Sequence, residues 1–413
     1  MRRLKIAFLS RWYWEENRRA GTAAGGPFQQ LAETVAALGH EVVVLSQKPG
    51  LAELAPSQVG ALETWLSPRD RKRDVFTGLR DKWAKQFYGH RKVCSDARDL
   101  ADFLKRRGPF DVLWAQCEEP DGLVAAMAAQ RGVKLPPLLT QIHALRYHFA
   151  NGKPVFTDKP ALRLAFQRAD RVIANSELVA ESLAHYAGGI LPLQELHEKT
   201  RVIFPNLQRE IFQAADAESG PAAEPGRVLF LGALNEKKGA LIFLEAIRQT
   251  AAAKTGAVFA VAGGFTEDNA HFQRQWETAL ASTRAELAPT RLEMLGKIPA
   301  AETIREIRRA SVVVFPSLFD EFSRALVEAL VLGRPVVTTK KVGAWPLVTE
   351  HVCGEVIEPN EPVELAGAID SLLHPQAHYA TNARQLSHRL VHEVSPEAVA
   401  RLLAHQFEQM TAM

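Results

Sequence analysis

Short uninterrupted apolar runs alternate along most of this chain with stretches whose apolar residues recur every three or four positions. Residues 3–10 (RLKIAFLS) are the first such run, of strand length and apolar enough to be covered on both faces. A polar, glycine-rich stretch follows over 15–26. Residues 27–38 then place Phe28, Leu31, Val35 and Leu38 on one helical face, Gly39-His40 stops the helix, and 41–46 (EVVVLS) is the next strand. This β–loop–α–β unit is the building block of a parallel sheet. The alternation predicts further strands at 111–115, 137–143, 171–174 and 201–204, and helices at 122–129, 162–168 and 177–186.

Residues 213–226 (QAADAESGPAAEPG) interrupt the pattern with no apolar period and read as a linker or long surface loop. The alternation then restarts, with strands at 227–232, 257–263, 291–295, 311–315 and 335–338 and helices at 239–250, 301–310 and 323–332. The expected organisation is therefore α/β: a Rossmann-like domain at 1–206, a linker at 207–226, a second Rossmann-like domain at 227–394, and a terminal helix at 395–413 packing back toward the first domain. Open α/β sheets bind ligands at the carboxyl ends of their strands, where the strand order reverses. Two such sheets facing across a cleft suit a reaction that joins two substrates, one held by each.

Composition narrows the class. With 413 residues, 47% hydrophobic and 23% charged, the chain can bury large cores without disulfides. Cys94, Cys117 and Cys353 are far apart and contain no C-x-x-C pair, which argues against a disulfide framework or a zinc ribbon and for a reducing cytoplasm. The start lacks the apolar core of a signal peptide and no apolar run is long enough to span a membrane. Net charge is +3, unevenly spread: residues 1–206 hold 30 Lys/Arg against 22 Asp/Glu, and 207–413 hold 20 against 25. A basic half joined to an acidic one (+8 and −5) fits two domains with different partners better than a nucleic-acid binder.

The candidate chemistry sits in loops. Residues 21–26 (GTAAGG) are not G-x-G-x-x-G, and the second strand ends Leu45-Ser46-Gln47 with no acid for a ribose, which argues against a dinucleotide oxidoreductase. Gly25 and Gly26 either let backbone amides approach an anion closely or form a flexible loop ahead of a helix. In 317–330 (SLFDEFSRALVEAL) a strand delivers Asp320 into a loop, the amides near Phe322, Ser323 and Arg324 open a helix, and Glu328 follows one turn on. A helix N-terminus favours anionic oxygens and a carboxylate accepts hydrogen bonds from vicinal hydroxyls; equally, Glu328 fits a solvated helix face.

Taken together these segments resemble the retaining glycosyltransferases of GT-B fold, the group 1 (family 4) type. Asp320 and Glu328 match the two acids of its acidic–x7–acidic signature, and 333–339 (GRPVVTT) is similar to the segment that succeeds this signature in the family. Gly25-Gly26 resembles the family's N-terminal Gly-Gly loop, 39–42 its GHEV, His143 its acceptor-domain histidine, 169–176 (ADRVIANS) its ADxVIxxS strand, and 232–239 (GALNEKKG) its phosphate-binding G-R-x-x-x-x-K-G segment. Three positions depart from the pattern. Asp320 stands where Glu is usual, Ala233 replaces the Arg of the diphosphate pair while Lys238 keeps the Lys, and 205–209 (PNLQR) replaces P-N-G-V-D.

The resemblance implies a donor-binding second domain and an acceptor-binding first domain, with a nucleotide-diphosphate sugar as co-substrate and neither cofactor nor metal. Lys238 and the helix-opening amides would face the diphosphate, with Gly25 and Gly26 close to the donor. Glu328 would bind the ribose, Asp320 the donor sugar, and His143 would lie near the reacting carbon; an isolated histidine at a strand end reads otherwise as a satisfied structural one. The rivals are a nucleotide-sugar epimerase on the same fold and a binding protein that has lost catalysis. Finally, residues 69–93 carry nine Lys/Arg against three Asp with Phe76, Trp83, Phe87 and Tyr88 interleaved. They read either as a solvated helix or as peripheral contact with an anionic membrane at its inner face.

Overall fold

The computed structural model describes residues 2–11, 13, 26–68, 88–116, 121–143, 147–150, 153–156, 165–187, 192–217, 222–265, 270–287, 292–374 and 378–412. They fall into two compact units, one of residues 1–145, 157–206 and 396–413 and one of 146–156 and 207–395.

In the first unit β1 (Lys5–Leu9), α1 (Gly26–Ala37) and β2 (Glu41–Lys48) open the chain, followed by β3 (Ala55–Val59), β4 (Leu62–Pro68), α2 (Tyr88–Arg107), β5 (Val112–Ala115), α3 (Leu123–Gln130) and β6 (Leu138–Ile142). After the hairpin of β7 (Tyr147–Ala150) and β8 (Lys153–Phe156), which groups with the other unit, come β9 (Arg171–Ala174), α4 (Glu177–Ala187), α5 (Leu193–Lys199) and β10 (Thr200–Val202). The sheet order is β10-β9-β6-β5-β1-β2-β4-β3, parallel except for the β3–β4 hairpin at its edge. That hairpin escapes the reading of apolar runs because β4 alternates, with Leu62, Thr64 and Leu66 buried, and because β3 contains Pro56, which an edge strand tolerates.

Apolar residues on alternate sides of the strands build two cores. Ile6, Phe8, Val42, Val44 and Trp114 meet Leu31 and Val35 of α1 and Val399, Leu403 and Phe407 of the C-terminal helix (Pro396–Ala412). Ala7, Leu9, Val43, Leu45 and Leu113 meet Leu100 and Phe103 of α2 and Leu123 and Met127 of α3. Two polar residues of the motif series prove to be structural fasteners. The buried His40 accepts a hydrogen bond from the Leu4 amide (3.2 Å), and burial pushes its pKa down, which keeps the ring a neutral acceptor. Asp170 accepts from the Leu138 amide (2.8 Å) and so ties the start of β9 to β6.

After its hairpin, the second unit continues with α6 (Arg209–Asp216), so the stretch read as a linker is partly helical. Eight residues with one apolar pair, Ile211 and Phe212, are too few to show a period, yet both side chains are buried. Arg308 donates to the Ala214 and Ala217 carbonyls at 2.9 and 3.0 Å and completes the helix end. There follow β11 (Arg227–Leu231), α7 (Ala240–Gln249), β12 (Val258–Ala262), α8 (Ala270–Glu286), β13 (Leu292–Gly296), α9 (Ala300–Arg309), β14 (Val312–Phe315), α10 (Arg324–Val331), β15 (Val336–Thr339), α11 (Trp345–Glu350), β16 (Gly354–Ile357), α12 (Pro362–Leu373) and α13 (Tyr379–Val394). The six strands are all parallel in the order β13-β12-β11-β14-β15-β16, the doubly wound arrangement. The order reverses between β11 and β14. The chain therefore leaves these two neighbours toward opposite faces and opens a crevice at their carboxyl ends.

Candidate functional site

The loops after β11 and β14 meet at that switch point. The Leu318 amide donates to the Lys237 carbonyl (2.9 Å). Asn235 folds the first loop back on itself by accepting from the Lys238 amide (2.9 Å). Gly239, which opens α7, has φ +67°, and a Cβ there would run into the Pro316 carbonyl oxygen, so only glycine lets the two loops approach this closely. Their side chains then pair twice: Lys238 Nζ with Asp320 Oδ2, and Lys237 Nζ with Glu321 Oε2 at 2.9 Å. A third loop, after β15, pins the acidic one from the other side. The Asp320 amide donates to Lys341 O (2.8 Å), Gly343 N–H to Asp320 O (2.8 Å) and Ala344 N–H to Phe322 O (3.1 Å).

Asp320 and Glu321 are buried, whereas the Lys237 and Lys238 side chains remain 30% and 27% exposed. The cations therefore stand toward solvent over a buried anionic base. Burial alone drives the Asp320 carboxyl upward, but the charge and hydrogen bond of Lys238, the charge of Lys237 and the Phe322 amide outweigh it and hold the pKa below the ordinary value. Asp320 is thus an anion at neutral pH. The Phe322 amide already serves that carboxylate. Ser323 turns the chain into α10 with φ 64° and ψ 79°, a left-handed conformation that costs a non-glycine residue about 1–3 kcal/mol.

Glu328 is half-buried on α10, one turn beyond Arg324. Burial pushes its carboxyl above the ordinary 4.5, with Arg324 opposing. A raised carboxyl favours folding while it is protonated, and that contribution is lost as pH rises from 4.5 through the folded-state value. Glu328→Gln should therefore melt higher than wild type at pH 7 and together with it below pH 4.5. Identical melting at both pH values would show that the carboxylate is not strained.

In the first unit Gly26 is the first residue of α1, whereas Gly25 lies outside the described residues. His143 follows β6 and is half-buried. Asn175, just after β9, donates to its carbonyl (3.0 Å), and Phe28 of α1 packs its ring 4.6 Å from the imidazole at 63°. The start of α1 is itself held by Asn206, whose side chain donates to Pro27 O (3.0 Å). Gly26 and His143 are thus neighbours through Phe28. Lys238, Asp320, Phe322, Ser323, Arg324 and Glu328 form a separate group in the second unit.

Sequence reasoning put Glu321 one residue out of register. The structure gives it a place through its partner Lys237, and the legible signal was the doubling of both pairs, Lys237-Lys238 and Asp320-Glu321. Asn235 and Gly343 carried no such signal. Of the basic segment 69–93, residues 69–87 lie outside the described residues. Among the described residues no group of three or more His, Cys, Asp or Glu could hold a metal ion, and no helix is long and apolar enough to cross a membrane.

Two family models match the chain: "Glycosyl transferases group 1" over residues 225–375 and "Glycosyl transferase 4-like domain" over 26–189. A D-inositol 3-phosphate glycosyltransferase of Frankia alni is 25% identical over 407 residues, spanning 90% of this chain and 94% of that one. Among solved structures, sucrose-phosphate synthase from Thermosynechococcus elongatus superposes with a TM-score of 0.70 at 19% identity, covering 99% of this chain and 100% of that one. Anabaena HepE gives 0.65 at 18%, covering 98% and 99%. Both halves of the chain are thus matched by the family's models, and its fold is that of GT-B enzymes: the chain belongs to the group 1 glycosyltransferases.

Proposed function

We propose that this protein is a retaining, metal-independent glycosyltransferase that moves a sugar from a nucleotide-diphosphate sugar to an acceptor hydroxyl. The first unit would hold the acceptor and the second the donor. The observation that carries the reading is the pair of half-exposed lysines over buried Asp320 and Glu321 at the switch point of the second sheet. The ligands of HepE, UDP and glucose in one crystal structure, support a donor of this class.

In this scheme the diphosphate draws Lys238 from Asp320 and also meets the Ser323 and Arg324 amides. Lys237 supplies the second cation that Ala233 cannot, since both lysines stand on the same loop as Ala233. Glu328 accepts hydrogen bonds from the ribose hydroxyls, and Asp320, released from Lys238, accepts them from the donor sugar. The anomeric carbon–oxygen bond breaks and its electron pair goes to the diphosphate oxygen, where fixed positive charge lowers the barrier. The acceptor oxygen attacks on the same face and its proton passes to the departing phosphate, which yields a nucleoside diphosphate and a glycoside of unchanged configuration. His143, Gly25 and Gly26 would be the first unit's candidates for a part in the reaction.

The test is a thermal-shift screen with UDP, ADP and GDP and their sugars, followed by NMR of the transferred anomer with and without EDTA. A ligand at 100 times its dissociation constant adds about 2.7 kcal/mol of stability. An inverted anomer would defeat the retaining mechanism, and loss of activity with EDTA the metal-independent one. Sugar turnover without any acceptor would favour the epimerase. The segment 69–93 would rest on the anionic inner face of the cytoplasmic membrane. Cosedimentation with anionic but not neutral vesicles at low salt checks this, and no binding would remove it.

A further inference from the structure

The first unit has a polar recess that none of these roles uses. It opens at the carboxyl ends of β1, β2 and β4 and is lined by Leu9, Arg11, Gln47, Ser67, Asp96 of α2 and Asp121 just before α3. Its volume is about 20 Å³, enough for one water-sized group. Gln47 is only 7% exposed, and its Oε1 has no hydrogen-bond partner; the Arg11 Nε is likewise buried and unmatched. Leaving such groups unmet is costly, so a ligand that meets both is favoured.

The chemistry of the lining selects that ligand. An amide oxygen needs a donor and a guanidinium N–H needs an acceptor. A hydroxyl is both. A phosphate dianion has no proton to donate, and it would face the Asp96 and Asp121 carboxylates with Arg11 as the one cation among the described lining residues, Arg11 itself lying 3.6 Å from Asp96. An ammonium donates but cannot accept. We infer that this recess is a subsite for one uncharged hydroxyl group of the acceptor, so that the acceptor is a neutral polyol or sugar at this point. The inference rests on the transferase reading and narrows its acceptor.

Saturation-transfer NMR on the full chain tests it with methyl α-glucopyranoside, myo-inositol, glucose 6-phosphate and inorganic phosphate, alongside UDP and ADP binding. The neutral polyols should bind and the phosphorylated sugar should bind more weakly. Gln47→Leu should lose polyol affinity about tenfold, the scale of one buried hydrogen bond, while Gln47→Glu, which keeps an acceptor oxygen, retains it. Both variants are checked for wild-type circular dichroism. Equal polyol affinity in Gln47→Leu, preference for glucose 6-phosphate or phosphate, or no polyol binding by a protein that binds nucleotide would each overturn the subsite. In the last case the recess holds water only. Failure to bind any nucleotide would instead count against the transferase reading and leave the polyol comparison to decide the subsite.

Discussion

Gly239→Ala is expected to destabilise the second unit and to abolish donor binding, although it adds a single methyl group. The position has φ +67°, where an L side chain costs roughly 1–2 kcal/mol, and the new Cβ meets the Pro316 carbonyl oxygen, which is backbone and cannot swing aside. A total near 3 kcal/mol corresponds to a fall in melting temperature of roughly 6–12 °C for a unit of this size. The functional loss has the same origin. The methyl group forces apart the loops that bring Lys238 to Asp320 and Lys237 to Glu321. Gly232→Ala is the control from the same loop. Its Cβ would find its nearest neighbours at 3.7–3.8 Å, ordinary contact, and should change melting little. If both variants melt alike, loop approach at Gly239 is not what sets this site.

Lys238→Met should lower transfer on the order of 10²–10³-fold, the loss typical of one preorganised charge at the position where negative charge develops. Nucleoside diphosphate affinity should fall about 10- to 150-fold and nucleoside affinity hardly at all, because a charged hydrogen bond contributes about 1.5–3 kcal/mol. A second signature comes from Asp320. Deprived of Lys238, it is left under the burial that drives its pKa upward. In the wild type, a depressed carboxyl contributes stability that is present above the ordinary 3.8 and is lost as pH falls through the folded value. The variant should lack that acid limb. Unchanged diphosphate affinity in Lys238→Met would assign the diphosphate to Lys237 or to other groups.

These two substitutions bear on different parts of one arrangement. The glycine makes the loops meet, and the lysine uses the meeting. Lys238 and Asp320 satisfy each other, a half-exposed cation over a buried anion. In the proposed scheme donor binding exchanges that partner for the diphosphate.

The sequence by itself determined the alternation of strands and helices, because the apolar runs of strands covered on both faces stand out against helices with one apolar stripe. It determined that two doubly wound sheets follow one another. It also singled out candidate loops, because Gly39-His40, Ala169-Asp170, Gly239 and the Asp320–Glu328 interval sit at fixed places relative to those runs. It did not separate fasteners from candidate site residues. His40 and Asp170 belong to the same series of motifs as His143 and Lys238, yet they hold β1 and β6 in place, a role that exists only once distant backbone amides are brought to them. Nor did it reveal the β3–β4 edge, whose alternating burial resembles a surface loop, or α6, too short to show a period. Tertiary structure alone decided that Glu321 pairs with Lys237 and that Gln47 ends in a recess with an unmet carbonyl oxygen. Each of these depends on residues separated by tens of positions in the chain meeting where strand order reverses or strands end, and no local pattern of apolar and polar residues encodes such a meeting.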